Sequence, residues 1–212
     1  MLDPWDTASG VLIGFDPGTI NLGVAGIEID PFSLDIRRVW AETLTAKNSY
    51  LDTHHVNTHG AKYARLNYFK QTIVNYLTHH NARYVYCEDA YYSRLTPNAY
   101  APLVETIYML RESVMEYDSN IPLNIIRSSE AKATLNIKGK GEQVKENVRC
   151  AIYGCMELMS FFDGDPLDCA EHALDALLVA YTGLQMMRQE LSKEPYSRFT
   201  PLEVSSGRIN FL

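Results

Sequence analysis

The sequence predicts an α/β fold: a five-stranded mixed sheet, three antiparallel strands then two parallel ones, flanked by helices. Three apolar β-type runs separated by short turns fill the first 45 residues, which is the arrangement of a meander. After them helical and strand patterns alternate, the order that joins parallel strands through helical crossovers. Carboxylates stand at the ends of the first and fourth strands, in an otherwise oily sheet.

Residues 1–10 read as a frayed lead-in. The first strand, 11–16, is apolar at Val11, Leu12, Ile13 and Phe15 and ends on Asp16. Pro17 and Gly18 make a tight turn, the ring presetting φ and the glycine tolerating positive values. The second strand covers 22–29, with Gly23 and Gly26 leaving room for close neighbours; the third covers 36–44 after a Pro31–Ser33 turn. A polar loop bearing histidines is expected over 48–60. Apolar residues at three- and four-residue steps predict a helix over 61–79, from Tyr63 and Leu66 to Leu77.

The fourth strand, Arg83–Glu88, ends in Glu88 and Asp89, before an aromatic loop. Pro97–Asn98 signals the start of a helix over 99–117, striped with Val104, Ile107, Tyr108, Leu110, Val114 and Met115. Ile121–Ile126 is the fifth strand, and Ser128 or Ser129 is expected to cap a helical turn through Leu135. A glycine-punctuated loop leads to a helix over 142–159. Turn chemistry over 162–167 then precedes a last helix from Asp168 to about Arg188. One domain over residues 1–190 is expected, with 191–212 as an arm or disordered tail. At 212 residues, 46% of them apolar, the chain can bury a single sizeable core.

The net charge of −7 argues against a general nucleic-acid coat, but a local field can differ in sign. Arg127–Arg149 holds six basic residues against three acids, a surplus of three positive charges. The four cysteines lie in apolar patterns without C-x-x-C spacing, which predicts reduced core thiols. The N-terminus lacks the build of a signal peptide, and no apolar run is long enough to cross a bilayer. A cytoplasmic location with no membrane partner is expected.

In the last helix Asp168, His172 and Asp175 are spaced i, i+4, i+7, with Glu171 four residues before Asp175, so they share one face. A helix N-terminal charge bias explains Asp168 and Glu171. It does not explain Asp175, two turns in among Ala and Leu. Carboxylates gathered this closely need a cation between them, and oxygen-rich donors suit magnesium or manganese rather than zinc. Two such ions about 4 Å apart can activate a water and stabilise the leaving oxygen of a phosphodiester.

FDPGTINLG, YCEDAYY and EHALDALLVA, in that order over residues 11–185, resemble the RuvC family of Holliday junction resolvases, within the RNase H-like superfamily. The resemblance implies an RNase H-like nuclease with Asp16, Glu88, His172 and Asp175 at the catalytic and metal positions, and Mg2+ (or Mn2+), two ions per site. The family often carries Asp where His172 stands, so a ligand or a proton shuttle is open there, with Glu171 as a substitute. KATLNIKGKGEQVKENV matches the family's lysine-bearing loop: Lys132 falls on the first lysine, and Lys138 or Lys140 serves for the second in a shorter loop. Tyr91 falls where the family has an aromatic that touches DNA bases; Tyr92, Arg94 and the loop around His54–His59 are weaker candidates. The partners implied are a four-way DNA junction and a second copy, with the helix at 99–117 in the homodimer contact.

Three other readings compete. The same fold can cut RNA–DNA hybrids, RNA, or flaps and forks, because substrate choice lives in loops. An actin-like kinase would need a second phosphate loop, which FFDGDP matches poorly, and a second domain. A dead scaffold would not need all four site positions. The remaining histidines are expected to be surface and helix-end residues.

Overall fold

The computed structural model describes residues 9–92, 97–139 and 142–193. Its single five-stranded sheet has the order β3-β2-β1-β4-β5. The strands are β1 (Gly10–Asp16), β2 (Asn21–Ile29), β3 (Ile36–Thr45), β4 (Ala82–Glu88) and β5 (Leu123–Ile126). The first three pair antiparallel, and β1–β4 and β4–β5 pair parallel, as expected.

The period of two along a strand decides which side chains meet which helices. Val11, Ile13 and Phe15 of β1, with Val85 and Cys87 of β4, face a core shared with α2 (Ala61–His80) and α3 (Pro97–Tyr117). Phe69, Ile73, Leu77, Leu110 and Val114 fill it from the helices. Leu12 and Tyr86 face the opposite core, formed with α4 (Ser128–Thr134), α5 (Glu142–Gly154), α6 (Met156–Met159) and α7 (Glu171–Lys193). Asp16 and Glu88 share parity with Leu12 and Tyr86, so both carboxylates stand on the α7 side. Phe15 pairs with Cys87, which sets the two acids next to each other at the ends of adjacent parallel strands.

Alpha-helix α7 lies unusually close to the sheet because two strand residues lack a Cβ. A Cβ on Gly14 would come within 2.5 Å of the Ala176 carbonyl, and one on Gly23 within 1.9 Å of the His172 carbonyl. Residues Ala173, Leu174 and Ala176–Leu184 of α7 are accordingly buried. The outer edge of β3 is covered by the chain after α6: Val39 N–H donates to the Phe161 carbonyl at 2.8 Å, and Asp163 N–H donates back to Val39 at 2.7 Å. This isolated bridge covers part of an otherwise open edge.

Several boundaries differ from expectation. The segment 48–60 contains a 3-10 turn (Asn48–Tyr50) and a helix, α1 (Thr53–His59), rather than loop alone. Asp52 caps it by accepting from His55 N–H at 3.0 Å, although its residues carry no apolar stripe. The helix expected over 142–159 is broken at Cys155, whose extended backbone separates α5 from α6 after Gly154. Alpha-helix α4 starts on Arg127 as its cap, with Glu130 accepting from the Arg127 N–H at 3.1 Å; neither Ser128 nor Ser129 has that role. The last helix begins at Glu171, not Asp168, and runs through residue 190 to Lys193. Among the described residues no helix is long and apolar enough to cross a membrane. All four cysteines are free.

Candidate active site

Asp16 from β1, Glu88 from β4, and His172 and Asp175 from the first turns of α7 meet at the ends of the two parallel strands. His172 Nδ1 lies 2.6 Å from Asp16 Oδ2. That bond, against the opposing effect of burial, pushes the imidazole pKa up, with the charges of Glu171 and Asp175 adding to it. Burial pushes the Asp175 carboxyl up to about 7, helped by the charges of Asp16, Glu88 and Glu171 and opposed by Lys132. Glu88 is also raised, first by burial and then by Asp16; the Ser128 hydroxyl and Lys132 oppose it.

These are the marks of negative charge gathered in a poorly hydrated place without enough positive charge to match it. Among the described residues no three of His, Cys, Asp or Glu are arranged to hold a metal ion as they stand; one oxygen of Asp16 is taken by His172. Three carboxylates and one imidazole are nevertheless a donor set that suits a hard divalent cation. A cation drawn between the acids would relieve both the repulsion and the burial cost.

Asp168 does not join this row. Asp165 accepts from Leu167 N–H at 2.8 Å and holds Pro166–Asp168 in a separate 3-10 turn, after which Cys169 is extended. Glu171 pairs with Lys145 at 3.1 Å, so His172 is the side chain of that pair that touches Asp16.

Lys132 donates to Ser128 Oγ at 2.8 Å. It lines a small cavity of about 50 Å3 together with Glu88, Ser128 and Asp175. It also lines a larger one of about 500 Å3 with Asp89, Tyr91, Arg127, Ser128 and Ser129. Tyr91 is 73% exposed at the mouth of that larger cavity. Lys138 is exposed, and its carbonyl accepts from Asn147. Lys140 and Arg94 lie outside the described residues. Tyr92 packs edge-on against Tyr100 at 5.7 Å. On α1, His55 bonds to Asn67 at 3.3 Å and His59 packs on Tyr63.

Sequence reasoning missed Ser128 as a site residue. Its signal was present: four residues before Lys132 on a helix, the two side chains share a face. Lys145 and Arg149, in the basic stretch, line a cavity of about 100 Å3 together with Asp175.

No protein-family model matches the sequence, and no curated protein matches it. Solved structures do. Thermus thermophilus RuvC aligns with a TM-score of 0.61 at 19% identity, over 85% of this chain and 96% of that one. The same protein in complex with a Holliday junction substrate aligns at 0.58 and 16% identity. The Fowlpox virus Holliday junction resolvase aligns at 0.51 and 16% identity, over 84% of this chain and 99% of that one. The chain therefore shares the RNase H-like fold of the RuvC-type Holliday junction resolvases.

Proposed function

We propose that this chain is a structure-selective DNA endonuclease that resolves four-way (Holliday) junctions by metal-dependent phosphodiester hydrolysis. The observation that carries this reading is the meeting of Asp16, Glu88, His172 and Asp175 at one end of the sheet. It occurs in a fold shared with RuvC, whose structure is known with a Holliday junction substrate.

Mg2+, or Mn2+ in its place, bound by Asp16, Glu88 and Asp175 with His172 beside them, two ions per site, would supply Lewis acidity and an activated water. Asp16 and Glu88 present oxygen donors from adjacent strand ends, where the backbone holds them rigidly. Asp175 completes the acidic wall from α7. His172 holds a proton against Asp16 through Nδ1 and has Nε2 left to exchange one with a leaving oxygen. Lys132 and Lys138 supply phosphate contacts in an otherwise acidic protein, and Tyr91 offers an aromatic face to an unstacked base.

A symmetric cut across a four-way junction needs two sites related by a two-fold axis. The outer face of α2 and α3 suits a second copy. Tyr108 and Met115 are 63% and 61% exposed there, and a groove of about 500 Å3 runs between the helices. Four free thiols fit a reducing compartment, and we place the enzyme in the cytoplasm.

The test is cleavage of a panel comprising a four-way junction, a fork, a flap, an RNA–DNA hybrid and plain duplex, with Mg2+ or Mn2+. Symmetric paired cuts in the junction are expected. Preferential cutting of the hybrid, or of flaps and forks, would replace this reading with that of another nuclease on the same fold.

A further inference from the structure

We infer that Ser128 is a positioning residue for Glu88, holding it in place for a divalent ion while keeping Lys132 off it. The inference rests on the metal-site reading above and adds to it a residue that touches neither metal nor DNA.

A lysine ammonium has three donors and no acceptor, so in the 2.8 Å contact between Lys132 Nζ and Ser128 Oγ the hydroxyl oxygen must accept. The hydroxyl's single proton is then free to turn toward Glu88, which lines the same small cavity. Glu88 stands beside Asp16 at the end of the adjacent parallel strand, and Asp16 meets His172 at 2.6 Å. Polar side chains therefore cross the pocket in the order Lys132, Ser128, Glu88, Asp16, His172. The basic groups stand at the two ends and the carboxylates in the middle.

A polarised row of this kind aims each member. Ser128, on the first turn of α4, passes the attraction of the ammonium to Glu88 without letting the two charges touch. The small cavity bounded by Glu88, Ser128, Lys132 and Asp175 is consistent with that separation. Without the hydroxyl, Lys132 has the space to fall onto Glu88 and compete there with any incoming cation. Groups that orient a metal-ligating carboxylate commonly change metal affinity 10–100-fold (roughly) when removed.

The test is direct Mn2+ binding, followed by electron paramagnetic resonance, for wild type, Ser128→Ala, Ser128→Thr and Ser128→Cys. Thermal melting and junction binding in EDTA are measured beside it. Ser128→Ala should weaken Mn2+ binding about tenfold, with melting unchanged. Ser128→Thr, which keeps the hydroxyl, should restore the affinity. Ser128→Cys, a weak donor of similar size, should fall between and serves if the alanine variant does not fold. Unchanged Mn2+ affinity in Ser128→Ala, or in Ser128→Cys where that variant stands in, overturns the inference. Weaker junction binding beside unchanged affinity would make Ser128 a phosphate contact instead. A wild-type protein that binds Mn2+ yet leaves branched DNA intact would refute the proposed activity and leave this inference standing.

Discussion

On one face of the sheet α7 rests against Gly14 and Gly23 with backbone meeting backbone. On the other, α2 and α3 reach the strands through Phe69, Ile73, Leu77 and Leu110. Side chains in a core can exchange rotamers and share a small displacement, whereas two backbones in contact cannot. The α7 face therefore sets where His172 and Asp175 stand relative to Asp16 and Glu88. The α2–α3 face supplies stability and a surface. Ion pairs on that side, Lys62–Glu105 and Lys70–Glu116, are exposed and contribute little.

Substitutions on the two faces should separate these roles. The largest effect is expected from Gly23→Val, whose Cβ would press on the His172 carbonyl. Overpacking there should cost about 3 kcal/mol in denaturant unfolding, and the displaced helix should lose Mn2+ binding. Retained Mn2+ affinity in a folded Gly23→Val protein would mean that the close approach does not position the site. On the other face Leu110→Ala, a fully buried truncation, should cost about 3 kcal/mol as well. Its Mn2+ affinity should stay at the wild-type value, and a matching loss would erase the distinction between the faces.

A smaller effect concerns pH. With its carboxyl pushed up to about 7, mainly by burial, Asp175 binds a proton in the folded state over a range where the unfolded chain has released it. Between about pH 4 and 7 metal-free stability should therefore fall as pH rises. His172, raised mainly by its bond to Asp16, contributes stability below its ordinary value that is lost as pH climbs through the folded one, so both slopes have the same sign. An entering cation displaces these protons, and its affinity should climb about tenfold per pH unit below 7 for each proton released. Calorimetric titration should show this slope in wild type and Leu110→Ala, and a shallower one in Asp175→Asn. The smallest effect is expected for Lys132→Ala: the slope of log affinity for a junction against log salt should fall by about one. An unchanged slope would remove Lys132 from the DNA surface.

Much of this was legible in the chain because strand parity is strict. Apolar Val11, Ile13 and Phe15 against Leu12 and Asp16 place the aspartate on a definite side, and the same alternation places Glu88 beside it. The proportion of Ala and Leu around Asp175 marked it as a buried acid in need of a reason. What stayed hidden was set by local competition. Asp165 draws Pro166–Asp168 into its own turn and shortens the last helix. Asp52 starts α1 where no apolar stripe announces a helix, and Ser128 resembled a cap because serine so often is one. Which hydroxyl meets which carboxylate depends on tertiary placement that no spacing encodes.

The most direct measurement follows a four-way junction with wild type and Asp16→Asn in Mg2+, scoring binding and cutting in the same samples. Asp16→Asn should bind the junction as wild type does and cut it more than about a hundredfold more slowly, a larger loss than that from removing a supporting group. Equal cutting by the two proteins would contradict the claim that the pocket where β1, β4 and α7 converge is the place where the phosphodiester bond is broken.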